Sequence, residues 1–187
     1  ISGNPILAYN VVFLFSYVLA GAGMYWLAAS ITGNRVAALV AALAFAFLPY
    51  RVAAVPHLHV LMFGWMPIGL LALHRYFDSG SRLALFGFVV VFLFQGLSSF
   101  HFLYFFTLPA GVIVIAGLIR RTRHRARQVL ELVVASALIL VVLAPVALAY
   151  YQTHRDQGLV RSRRAIVHYS ADVVSYGQVS SNLRFWG

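Results

Sequence analysis

The groups able to do chemistry in this sequence are few and lie in three places. Arg51, His57 and His59 crowd into PYRVAAVPHLHV (49–60), between two strongly apolar stretches. His101 closes QGLSSFH (95–101), after Ser98 and Ser99. Asp172 stands in a polar tail with Asp156, Arg161, Arg163, Arg164, His168 and Tyr176. A guanidinium presents a planar fork of donors to phosphate, and imidazole adds a donor that titrates near neutral pH. A carboxylate can orient a hydroxyl or take its proton. The combination suits group transfer to a hydroxyl, with cationic and polar donors stabilising a leaving phosphate. The candidate set is Asp172 and His57 for catalysis, and Arg51, His59, His101 and Arg163 for substrate binding.

Each of these residues also has a plainer role open to it. Arg and His at the ends of apolar spans snorkel to lipid headgroups, and Asp172 fits a capping position in a loop. The chemical reading requires the three regions to meet in space. His57 and His59 would face one side of an extended segment, a pairing that invites a metal. No third His or carboxylate lies nearby in sequence, and there is no HExxH motif, so no metal is expected. Glycine-rich phosphate loops and a serine-nucleophile elbow are also missing, and no cofactor is implied.

The elements that must position these groups are membrane helices. The chain has 187 residues, of which 62% are hydrophobic and 10% charged. Its mean hydropathy is +0.86. A soluble domain carries about a quarter charged residues. All 14 basic residues are Arg, and the formal net charge is +10. Their position between apolar spans ties the charge to topology and lipid headgroups rather than to nucleic acid. Cysteine is absent, which excludes disulfides and thiolate metal sites.

A helix needs roughly 20 apolar residues to cross a bilayer. The pattern predicts an all-α bundle of about six spans. They are Ile6 to Ala29, Val36 to about Pro49, Val60 to Leu73, two spans within Leu83 to Ile119 broken at 95–101, and Val129 to Tyr151. Residues 1–151 form this membrane region, and 152–187 form a polar extracytoplasmic tail or the start of a loop. Loops 31–35, 74–82 and 120–128 then share one side and hold Arg35, Arg75, Arg82, Arg120, Arg121, Arg123, Arg125 and Arg127. The short loops of the other side hold only Arg51. The positive-inside rule places the first set in the cytoplasm and both ends of the chain outside. RRTRHRARQ (120–128) reads as a cytoplasmic anchor, with Glu131 pairing with Arg127 at helical spacing. Asp78, between Arg75 and Arg82, reads as a solvated loop charge. Asn10 and Gln95 are the notable polar residues within spans, with no charged residue deep in any of them.

The stretch from Leu7 to Leu73 resembles bacterial membrane glycosyltransferases of the GT-C superfamily. The likeness lies in the order Tyr9-Asn10, Thr32-Gly33, Pro49-Tyr50-Arg51, then His57, Trp65 and Pro67. QGLSSFHF, YSADVVSYG and the terminal WG extend it over most of the chain. His59 stands where that pattern carries Asn or Gln. The resemblance implies a multi-pass protein of the bacterial cytoplasmic membrane, a polyprenyl-phosphate sugar donor, and a glycan, lipid or protein acceptor. It also implies an extracytoplasmic active site whose catalytic acid lies in an outer loop upstream of Ile1, which makes this chain a fragment. The alternative is a non-enzymatic polytopic protein, such as a lipid-linked-glycan transporter or an assembly subunit. A transporter would line a polar path with Asn10 and Gln95.

Overall fold

A computed structural model describes residues 3–54, 57–120, 125–158 and 162–170. Among them the fold is all-α, with no strand. The helices are α1 (Pro5–Thr32), α2 (Arg35–Ala46), α3 (Pro49–Ala53), α4 (Leu58–Leu61), α5 (Trp65–Ser79), α6 (Arg82–Ser98), α7 (Phe100–Arg120), α8 (Arg125–Gln157) and α9 (Arg163–Tyr169). Two compact units divide the chain, Ile1–Pro145 and Val146–Gly187.

Local sequence explains most of the helix ends. Asn4 caps α1 by accepting from the N–H groups of Ile6 and Leu7, with Pro5 pre-set for the first turn. Gly33 ends α1 at φ 65°, in the left-handed region that glycine adopts without strain. The next residue, Asn34, caps α2 through Val36 N and Ala37 N. Gly80, at φ 72°, and Ser81 repeat the device between α5 and α6.

Among the described residues, four segments are long and apolar enough to cross a membrane: Pro5–Thr32, Leu58–Ser79, Phe100–Arg120 and Arg125–Gln157. Arg82–Ser98 is apolar but shorter. The expected second span is cut down. α2 has 12 residues, or about 18 Å of helix, short of the roughly 30 Å hydrocarbon core. The chain turns at Phe47 and Leu48, and Pro49 starts α3 instead of continuing α2. The third expected span is shifted toward the C-terminus. Residues 74–79, read as a loop, stay helical until Gly80 stops them. α8 is likewise longer than expected at both ends, because Arg and Gln, which recur in RARQ (125–128) and QTHRDQ (152–157), are good helix formers.

The core of the first unit joins four helices. Leu73, Tyr76 and Phe77 from α5 meet Phe88 and Phe92 from α6, Leu103 and Phe106 from α7, and Ala135, Ile139 and Leu143 from α8. α1 and α2 pack through small residues: Ala20, Ala38, Ala42 and Ala46 are buried, and Gly21 faces Ala46. The outer faces of α1, α7 and α8 expose large apolar side chains, including Leu14, Val18, Ile115, Leu140 and Val141. In a bilayer, lipid covers such faces.

One end of the core is tied by charge. Glu131 of α8 accepts from Tyr76 Oη of α5 at 2.8 Å, Arg82 Nε of α6 at 2.7 Å and Arg127 Nε at 2.9 Å. The Arg127–Glu131 pair is the expected one. Arg82 is drawn to Glu131 rather than to Asp78, which pairs with His74 at 3.2 Å.

The contact of α1 with the start of α5 depends on the absence of a side chain at Gly64. A Cβ there would lie 2.7 Å from Ala20 N and 2.9 Å from the Leu19 carbonyl carbon, both backbone atoms. Gly64→Ala should therefore destabilise the fold by about 1–3 kcal/mol. Gly111→Ala, with open space at that position, should be neutral or stabilise by about 0.5–1 kcal/mol. Thermal unfolding in detergent, followed by far-UV circular dichroism, separates the two. Equal midpoints would refute the close approach.

Candidate functional site

Arg51 is the centre of the other end, and its side chain points inward. α3 is a five-residue turn started by Pro49, and it places Arg51 at 0% exposure. Nη1 donates to the Leu61 carbonyl at 3.1 Å and Nη2 to Ser16 Oγ at 2.8 Å. Ser16 in turn donates to the Phe13 carbonyl at 2.7 Å. The guanidinium lies 4.1 Å from the centroid of Tyr17 and 4.8 Å from that of Phe63. Cation–π attraction compensates part of the cost of taking the charge out of water. Among the described residues no carboxylate pairs with it. Arg51 was expected to hold a leaving phosphate. Here two of its nitrogens are committed to α1 and α4, and Nε, also buried, has no partner.

The imidazoles do face outward. His57 precedes α4, His59 lies on α4, and both are exposed. Their rings are 6.0 Å apart and close to perpendicular. His101, in the first turn of α7, is exposed and packs edge-on against Phe102 and Phe105. Phe102 links the two regions, with its ring 6.5 Å from Tyr50 and 5.4 Å from Phe63. The loop regions of 49–63 and 98–105 therefore meet at one end of the first unit. Among the described residues no group of three His, Asp or Glu side chains is placed to hold a metal ion.

The tail residues are placed differently. Arg163 and Arg164 are exposed on α9 of the second unit, as is Asp156 on the last turn of α8. Asp172, Arg161 and Tyr176 lie outside the described residues.

The sequence reading did not single out Ser16, Tyr17 and Phe63. The available signal was weak, because Ser16 is one of several polar residues in α1, with Asn10, Ser30 and Thr32. Gln95 and Ser99 were noticed, but not their state. Gln95 is 0% and Ser99 5% exposed, and neither Gln95 Nε2, Gln95 Oε1 nor Ser99 Oγ has a hydrogen-bond partner. Asn10 is exposed on α1 and Gln95 is enclosed in the core, so the two line no common path.

Fold and site together define an all-α, multi-pass membrane protein with His57, His59 and His101 at one end of the first unit and the Glu131 cluster at the other. No family model, curated protein or solved structure matches this chain.

Removing the Arg51 guanidinium leaves the Leu61 carbonyl unpaired in an apolar interior and detaches α3 from α1. Arg51→Met should lower stability by about 2–4 kcal/mol. Ser16→Ala should cost about 1–2 kcal/mol, since Arg51 keeps its bond to Leu61. Thermal melts of both variants in detergent test this. An Arg51→Met melt matching that of the parent chain would show that the buried guanidinium does not hold the three elements together.

Proposed function

We propose that the chain is membrane-embedded machinery of a glycosyltransferase that uses a polyprenyl-phosphate sugar. The observation that carries the reading is the meeting of the two histidine-bearing regions around Phe102, which gathers His57, His59 and His101 at one end. Imidazoles at the edge of an apolar bundle suit a phosphate whose hydrocarbon chain remains in lipid. In this reading Arg51 supports the site from beneath, and contact with phosphate falls to the histidines. Asp172, outside the described residues, is the proposed carboxylate for orienting or deprotonating the acceptor hydroxyl. Transport of a lipid-linked glycan is the weaker reading, because Asn10 and Gln95 do not share a path.

The charge pattern supports an orientation as well. Arg35, Arg75, Arg82, Arg120, Arg125 and Arg127 mark the end proposed to be cytoplasmic, and the histidine end is proposed to face outward. The chain contains no cysteine, so single-cysteine labelling in intact cells is clean. His57→Cys should react with a membrane-impermeant maleimide from outside, and Arg35→Cys should react only after lysis. The reverse pattern would refute the orientation.

Titration of a polyprenyl-phosphate sugar into the protein in nanodiscs tests the site itself. His57→Ala and His101→Ala should each weaken binding by about tenfold, the loss of one charge-assisted hydrogen bond. Arg35→Ala, at the opposite end, should bind as the parent does. Equal affinity in all three variants would remove the basis for the glycosyltransferase reading.

A further inference from the structure

We propose that the cleft between the C-terminal turns of α5 and α7 seats the headgroup of an aminophospholipid, a phosphate joined to a primary ammonium. The cleft has a volume of about 130 Å³. Its polar lining is His74 and Asp78 of α5 and Arg120 of α7, and its apolar lining is Phe77, Ile113, Ala116 and Gly117. Helical spacing builds it. Residues 74, 77 and 78 share one face of α5, and 113, 116, 117 and 120 share one face of α7. Small residues at 116 and 117 keep the α7 face low, and a Cβ on Gly117 would overlap the Phe77 ring.

Size and depth point to a headgroup. A pocket that encloses a drug-sized ligand holds roughly 300–1,000 Å³, so this cleft takes only a group of a few heavy atoms. Arg120 is the last residue of α7, and Asp78 is the last but one of α5. The charged lining therefore lies at the ends of the helices, where headgroups lie, with Ala116 and Ile113 one and two turns deeper toward the hydrocarbon.

The charges select the class of headgroup, because both signs are present. His74 Nε2 lies 3.2 Å from Asp78 Oδ2, which holds the carboxylate on its side of α5. A carboxylate has acceptor capacity beyond one such contact. A lone phosphate would be opposed by Asp78, and a lone ammonium by Arg120. An occupant carrying both groups a few bonds apart meets both residues, with phosphate oxygens on the guanidinium fork and the ammonium on the carboxylate. Two helix C-termini meet at this cleft, and their partial negative charge favours the ammonium. The seat rests on the membrane placement of the helices and not on the glycosyltransferase reading.

The test uses the full chain in detergent, with binding of dihexanoyl phospholipids followed by microscale thermophoresis. The parent should bind phosphatidylethanolamine about tenfold more tightly than phosphatidylglycerol, which has no ammonium, or phosphatidylcholine, whose ammonium has no N–H. Asp78→Asn should weaken phosphatidylethanolamine binding by about tenfold and erase its advantage over phosphatidylglycerol. Arg120→Gln should weaken both lipids by about tenfold. Arg35→Gln, outside the cleft, should bind as the parent does. Asp78 and Arg120 are exposed, so both variants should keep the parent's thermal midpoint, which separates lost binding from lost folding.

Equal affinity for the three lipids, or tightest binding of phosphatidylglycerol, would overturn the proposal and leave a general anchor for anionic lipid. Undiminished phosphatidylethanolamine affinity in Asp78→Asn would overturn it as well. Glycerophosphoethanolamine, the same headgroup without chains, should bind more weakly than the lipid, and equal affinity would overturn the lipid assignment.

Discussion

The architecture of the histidine end depends on one buried charge. A guanidinium enclosed among apolar side chains is expensive unless its donors are used and its charge is compensated. Arg51 meets that demand with a carbonyl from α4, a serine from α1 and two aromatic faces. Arg51 itself and the Leu61 carbonyl lie on segments that are otherwise short. α3 has five residues and α4 has four, too few to be stable alone. The arginine converts them into a fixed connection between the long helix α1 and the start of α5. His57 and His59 project from that connection, so their positions follow from where Arg51 is anchored.

The two ends of the first unit solve the problem of polar groups in lipid differently. At the arginine end a single carboxylate, Glu131, satisfies a tyrosine and two arginines. At the histidine end an arginine is satisfied without a carboxylate among the described residues, and Gln95 and Ser99 are left unsatisfied. Gln128 Oε1, three residues before Glu131 on α8, is also buried without a partner, so each end carries an unsatisfied amide.

Much of this was legible from residue types, and the failures have physical causes. Asn4, Gly33-Asn34 and Gly80-Ser81 mark helix boundaries because capping and left-handed backbone need those residues. The apolar runs identify membrane helices because lipid offers the backbone no other partner. Span counting failed at 36–61, where composition stays apolar while Pro49 and the burial of Arg51 break the helix into steps. It failed again at 74–79, where polar residues were taken for a loop although nothing in HRYFDS stops a helix. At the site, polarity grouped Arg51, His57, His59 and His101 on one side of the spans. It could not say which of them faces inward, since that depends on Ser16, Tyr17 and Phe63, which are distant in sequence. The unpaired state of Gln95 and Ser99 is likewise a property of packing, which no local pattern carries.

The Glu131 knot also sets an order of events during biosynthesis. Arg82 and Tyr76 leave the ribosome well before their shared acceptor, which lies 49 residues beyond Arg82 and 55 beyond Tyr76. Until α8 enters the membrane, the α5–α6 hairpin exists with a tyrosine hydroxyl lacking its partner and an arginine held only by headgroups or water. The hairpin can insert and pack against α1 and α7 early; only the bonds to Glu131 wait for α8. Closure of the arginine end is thus completed by a residue translated late, and truncation before Glu131 would leave Tyr76 and Arg82 without their shared acceptor.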